Sequence, residues 1–179
     1  MSLENAKANI KEFGKDLNLQ LEFDENNTCI LGIDNKFSVH LTYEQHSDRL
    51  YLYSPLLDGL PKDITLKLNL YEALLVGSML GGQMAGGGVG VAVEEQLILM
   101  HAYLEMGLGS DASALRRFAP LFVEAVEKWR KKIEDILAGR QPEEDPRFTR
   151  PSGGALPGPS APTNNQQKPG KPGQPFLKI

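Results

Sequence analysis

The chain has 179 residues, is 41% hydrophobic, and carries a net charge of −4 with a pI near 5.4. That length holds one ordinary domain with something extra. An acidic chain gains little from counterion release or from an anionic surface, which argues against nucleic acid and membrane as partners. Cys29 is the only cysteine, so neither an intrachain disulfide nor a cysteine zinc site can form, and a reducing compartment is expected.

The first residues show no basic stretch followed by an apolar run, so no secretory signal is expected. No apolar run approaches the roughly 20 residues needed to span a bilayer. The expectation is a cytoplasmic protein without membrane insertion.

The spacing of Leu3, Ala6, Ile10, Phe13 and Leu17 predicts an amphipathic helix over 3–17, with Ser2 as a candidate N-cap. Four short runs then read as strands, at 20–23, 29–33, 37–43 and 49–56, separated by turn residues at 24–27, 34–35 and 46–48. In the third run Phe37, Val39, Leu41 and Tyr43 alternate with Ser38, His40 and Thr42, the pattern of a half-buried antiparallel strand. A loop with Gly59 and Pro61 leads to a second helix over 64–79. Leu66, Leu70 and Leu74, with Leu68, Tyr71 and Leu75 beside them, make that helix apolar on more than one side, as expected of a helix packed on two sides. Strands follow at 89–93 and 96–105, then a last helix over 110–137 that Pro120 should kink or divide near Arg117.

The order is helix, antiparallel strands, helix, two strands, helix, which defines an α+β domain over 1–139. Nine of the 12 prolines lie from Pro142 onward. The segment 140–179 is also rich in Gly, Ser, Asn and Gln and poor in large apolar residues, so it reads as a disordered, partly polyproline-like tail. Its Pro-x-x-Pro spacings suit aromatic-groove modules but also arise by chance in such a composition.

Few constellations could carry chemistry. The glycine-rich stretch 81–90 lacks the Lys-Ser/Thr and the strand-to-helix order of a phosphate loop, and reads as a flexible turn or a tight backbone crossing. His40, His46 and Asp48 form a loose local group without the converging ligands a metal needs, and His101 stands apart. Cys29 sits in an apolar run, as a small buried hydrophobe does. Phe122, Val126, Trp129 and Ile133 form a core stripe, leaving the basic residues 130–132 as a solvated face. No enzyme, cofactor or metal is expected. The residues alone give a soluble α+β domain with spare apolar surface, hence a binding protein of unstated partner.

Several local segments carry a resemblance: NNTCIL at 26–31, HLTYE at 40–44, HSDRLY at 46–51, SPLLDGLP at 54–61, SMLGGQMAGGGVGV at 78–91 and EQLILMH at 95–101. With the order of elements, they resemble the class I type III secretion chaperones, the Tir-chaperone family, and most of all its chlamydial members that serve several effectors. The resemblance covers residues 1 to about 142. It implies a non-catalytic homodimer that binds the N-terminal chaperone-binding segments of effectors, keeps them soluble and export-competent, and delivers them to the secretion ATPase. Mapped onto this chain, it implies effector pockets at Ile10, Phe13, Phe37, Val39, Leu41, Leu50 and Leu52, and a dimer interface at Leu66, Leu70, Tyr71, Leu74, Leu97 and Leu99. The alternatives are a non-secretion interaction or sensor domain of similar build, and a small enzyme whose residues meet only in space.

Overall fold

The computed structural model describes residues 2–107 and 109–140. The expected tail lies outside these residues from Gln141 onward. Three helices and five strands follow in the order α1 (Ser2–Asp16), β1 (Thr28–Ile33), β2 (Phe37–Glu44), β3 (Arg49–Asp58), α2 (Ile64–Ser78), β4 (Gly88–Ala92), β5 (Leu97–Glu105) and α3 (Ala114–Leu137). The α+β reading holds.

The strands form one antiparallel sheet in the order β1-β2-β3-β5-β4, so β1 and β4 are its edges. Period-2 alternation sorts its two faces. Leu31, Val39, Leu41, Leu50, Leu52, Ile98, Met100 and Ala102 point to the buried face. There they meet Ala6, Ile10 and Phe13 of α1 and Leu115, Phe122 and Val126 of α3. Each of the larger side chains among them, Val, Leu, Ile, Met or Phe, contributes about 1.5–3 kcal/mol by leaving water. The opposite face carries Ser38, His40, Thr42, Tyr51, Tyr53 and Tyr103, a polar and aromatic surface.

Two expectations need correction. Residues 20–23 form no strand. Leu21 and Phe23 do pack on the core, and Leu21 lies against Gly14, so the alternation serves helix packing rather than a sheet ladder. Pro120 does not divide the last helix, which runs unbroken from Ala114. The proline lies on its exposed side, where water can serve the carbonyl that loses its N–H partner. A second proline, Pro55, sits inside the central strand β3. The register shifts there, between Pro55 and Leu57, so that a residue without an N–H interrupts the ladder at a bulge.

The glycine-rich stretch is a tight crossing. After a short 3-10 turn at Met79–Gly81 the chain turns into β4. A Cβ on Gly87 would overlap the His101 carbonyl, and one on Gly77 would overlap the Trp129 ring. Trp129 is buried, and its Nε1–H donates to the Gln83 carbonyl at 2.9 Å. The indole thereby ties the glycine segment and α2 to α3.

The start of α3 is capped from α1. Ser113 makes no side-chain cap bond. The buried Asn9 Oδ1 accepts from the Leu115 N–H at 3.0 Å, while its Nδ2 donates to the Asn5 carbonyl at 3.0 Å. Asn5 Nδ2 in turn donates to the carbonyls of Met106 and Gly107, at 3.0 and 3.2 Å. Asn9 thus ties α1 to the start of α3, Asn5 ties α1 to the chain just after β5, and these helices are walls of the groove described next.

Candidate protein-binding surfaces

The described residues present two apolar surfaces of different shape. The first is a groove of about 360 Å³ between the C-terminal end of α1, the N-terminal half of α3 and the underside of β1 and β2. Phe13, Leu17 and Leu19 form one wall, and Ala119, Pro120 and Val123 the other. Leu31, Ile33, Val39 and Leu41 make the floor, and Asp34 is the one charged residue on the lining. Leu17 and Leu19 are exposed although large and apolar. Leu19 is held there by its N–H, which donates to the Gly14 carbonyl at 2.9 Å and closes the helix end.

The groove lies under a sheet edge that no other strand of the described residues pairs with. The Tyr43 N–H donates to the Asn27 carbonyl at 2.9 Å, and the register pairs Cys29 with Leu41 and Leu31 with Val39. In an antiparallel ladder bonded pairs alternate with non-bonded ones, so Cys29 and Leu31 bond to β2 while Thr28, Ile30 and Gly32 turn their backbone groups outward. Such an edge is a template for another extended chain.

The second surface is the outer side of α2. Its residues split into two stripes on opposite faces. Leu70, Leu74 and Gly77 are buried against the core and α3. Ile64, Leu68, Leu75, Val76 and Met79 are exposed, and Leu80 after them is 98% exposed with a φ of 53°. A leucine in the left-handed region is uncommon and costs about 1–2 kcal/mol. Val91 and Val93, on and just after the edge strand β4, are also exposed.

Titratable groups offer little chemistry. Burial, with the Asp24 charge second, pushes the Cys29 thiol up, so it stays protonated. Burial pulls His40 down; its ring stacks on Tyr53 at 4.9 Å and its Nε2 meets the Ser38 hydroxyl at 3.0 Å. Asp48 accepts from the Tyr43 hydroxyl at 2.8 Å instead of joining a histidine cluster. No group of three His, Cys, Asp or Glu side chains converges for a metal among the described residues. No helix among them is long and apolar enough to cross a membrane.

A model of the Tir chaperone protein (CesT) family matches residues 8–130. The chain belongs to that family. Its fold is similar to a chain of the HopA1–SchA chaperone–effector complex, at 27% identity and a TM-score of 0.59, over 73% of this chain and 97% of that one. It is also similar to a chain of the ExsC–ExsE complex, at 16% identity and a TM-score of 0.58, over 73% and 94% of the two chains. A third likeness, at 15% identity and a TM-score of 0.52 over 69% and 98%, is to the structure of the Yersinia pestis type III secretion chaperone SycH with a stable fragment of YscM2. No curated protein sequence matches the chain.

In this Tir-family chaperone the expected effector residues fall into three groups. Phe13, Val39 and Leu41 line the groove. Ile10, Leu50 and Leu52 lie in the core, at most 1% exposed. Phe37 is half-buried at the start of β2, with the Arg130 guanidinium 5.6 Å from its ring centre. Of the expected dimer residues, Leu70 and Leu74 serve the protomer's own core, Leu66 and Tyr71 are half-buried, and Leu97 and Leu99 are half-buried on β5. The groove walls at Leu17, Leu19 and Val123 and the α2 stripe at Ile64, Leu68, Val76 and Met79 were not among those expectations. The stripe had a visible signal: once Leu70 and Leu74 are given to the core, the apolar residues left on α2 need another partner.

Proposed function

We propose that this chain is a class I type III secretion chaperone of the multi-effector, chlamydial kind. It binds the N-terminal chaperone-binding segments of effectors in the bacterial cytoplasm, keeps them soluble and export-competent, and delivers them to the secretion ATPase. The observation that carries the reading is the apolar groove lying directly beneath the open edge of β1. An extended cargo segment adds to that edge through backbone bonds and lowers every second side chain into the groove. Backbone pairing is indifferent to sequence, and a groove with one charged lining residue asks only for apolar side chains. The two together suit varied cargo. Cargo held as a single extended strand has no fold of its own to undo before export.

We assign the second surface to a second copy of the chain. The stripe of Ile64, Leu68, Leu75 and Met79 runs along one convex helix face, which a two-fold axis can bring against itself. Burying these side chains removes an exposed apolar stripe from water and relieves a solubility liability.

Light scattering on the purified chain, alone and mixed with N-terminal segments of type III effectors, tests both assignments. The expected result is a dimer that takes up one extended segment without changing its own subunit number. A monomer that binds none would overturn the reading and favour an interaction or sensor domain outside secretion.

A further inference from the structure

The edge of β1 is not open along its whole length. Asp24 Oδ1 accepts from the Asn26 N–H at 2.8 Å and from the Thr28 N–H at 2.9 Å. The Asp24 N–H donates to the Thr28 carbonyl at 2.8 Å. Both outward backbone groups of Thr28 are therefore consumed by one residue. Cys29 and Leu31 bond to β2, so the outward groups left on β1 are those of Ile30 and Gly32. Ile30 is exposed, and among the described residues no atom outside the adjoining chain would lie within 4 Å of a Cβ on Gly32, so none of them crowds these two positions.

We infer that Asp24 sets the register of cargo by closing the N-terminal end of the β1 edge. The inference rests on the reading of β1 as the cargo-pairing strand. A segment pairing with Ile30 and Gly32 has only those two residues to bond, and sliding one ladder repeat toward Thr28 meets an edge already satisfied. In that register the cargo side chains on the buried face lie beside Leu31 and Ile33, both on the groove floor. The recognised sequence is then short and specific in pattern. It has two apolar residues spaced i and i+2, the residue between them facing the opposite side of the sheet, where Gly32 leaves room.

Asp24 acts here as a positioning residue: it touches no cargo and works through the backbone of Thr28. Residues 20–23 strengthen the block. Leu21 and Phe23 anchor this segment on the core. Residue 24 is thus held at the strand start by contacts on both of its sides.

The test is residue-resolved amide hydrogen exchange on the full chain, free and bound to the N-terminal segment of an effector from the same organism, for the wild type, Asp24→Ala and Asp24→Asn. In the free wild type the Thr28 N–H should exchange slowly while those of Ile30 and Gly32 exchange fast. Cargo should slow Ile30 and Gly32 by about tenfold or more and leave Thr28 unchanged. In Asp24→Ala, Thr28 should exchange fast when free and slow when bound, with cargo held about three- to tenfold tighter because one more ladder group, the Thr28 N–H, is open while the Thr28 carbonyl keeps its bond from the residue-24 backbone N–H. Asp24→Asn keeps an acceptor oxygen and should behave as wild type. Fast Thr28 exchange in the free wild type, or an unchanged footprint in Asp24→Ala, would overturn the inference. Binding that leaves Ile30 and Gly32 unprotected would overturn the β1 reading beneath it, and no binding by any variant would overturn the chaperone reading. The free-state contrast between Thr28 and Ile30 tests the closure even then, and Asp24→Asn tests it if the alanine variant does not fold.

Discussion

The groove and the outer face of α2 are both apolar, yet they are built to hold different things. The groove is concave, borders unpaired strand backbone, and mixes core side chains such as Leu41 with exposed ones such as Leu17. It offers directional backbone bonds and a shaped floor, and so suits a single extended chain. The α2 face is convex, has its backbone bonds satisfied within the helix, and offers side chains alone. It suits a complementary apolar surface, for which a second copy is the simplest source. Apolar area by itself does not tell the two apart; the state of the backbone beside it does.

The largest expected effect erases both surfaces together. Leu70 is 0% exposed between the two faces of α2, and an aspartate there would bury an unpaired charge. Leu70→Asp should cost about 5 kcal/mol or more, comparable to the whole stability of a small domain. Urea denaturation should find no cooperative folded state. Leu68, on the opposite side of the same helix, is 61% exposed. Leu68→Asp should leave the unfolding midpoint within about 0.5 kcal/mol of the wild type while light scattering finds a monomer. Its counterpart is Val123→Glu on the groove wall, which should leave the dimer intact and weaken cargo binding by about tenfold to a hundredfold, the loss expected for one buried apolar contact. If each variant damaged both properties, the two surfaces would be one.

The sequence made much of the fold legible and less of the site, for a physical reason. Period-2 alternation identified β2 because its side chains do alternate between core and solvent. The same signal failed at 20–23, because alternation records which side of an extended segment is buried and not whether its N–H and C=O groups find a ladder. For α2, periodicity exposed two apolar stripes but could not say which one faces the protomer's own core. That depends on α3, which closes over Leu70 and Leu74 from sequence far away. Pro120 reads as a kink or a division because local rules weigh the lost bond; the helix is not divided, since its exposed position lets water replace that bond. The groove is made from three distant segments, so only its floor at Val39 and Leu41 and one wall residue, Phe13, were within reach of a pattern.

Smaller effects should separate the groove from α2 by its supports. Asn9→Ala leaves the Leu115 N–H without its cap and removes the tie between the groove walls. A cost of about 1–2 kcal/mol is expected from denaturant unfolding, typical of a lost N-cap with a buried donor left unpaired. Cargo affinity should fall with it, while the oligomeric state should not change.

The smallest effect is one of pH, at the entry to the same helix. Asp111 accepts from the Ser113 N–H at 2.8 Å, from the Ser113 hydroxyl at 2.9 Å and from the Arg117 guanidinium at 2.6 Å. These bonds, the Ser113 backbone foremost, lower its pKa from 3.8 to about 2. A carboxylate depressed on folding stabilises the native state above its unfolded pKa and loses that contribution as pH falls through the folded value. The stability difference between wild type and Asp111→Ala should therefore be constant above about pH 5. It should shrink between pH 3.8 and about 2 and vanish below. The carboxylate is exposed, so salt should reduce the difference throughout. Denaturation midpoints measured down this pH series would decide it: a difference that persisted unchanged below pH 2 would mean that the aspartate acts through packing and not through its charge.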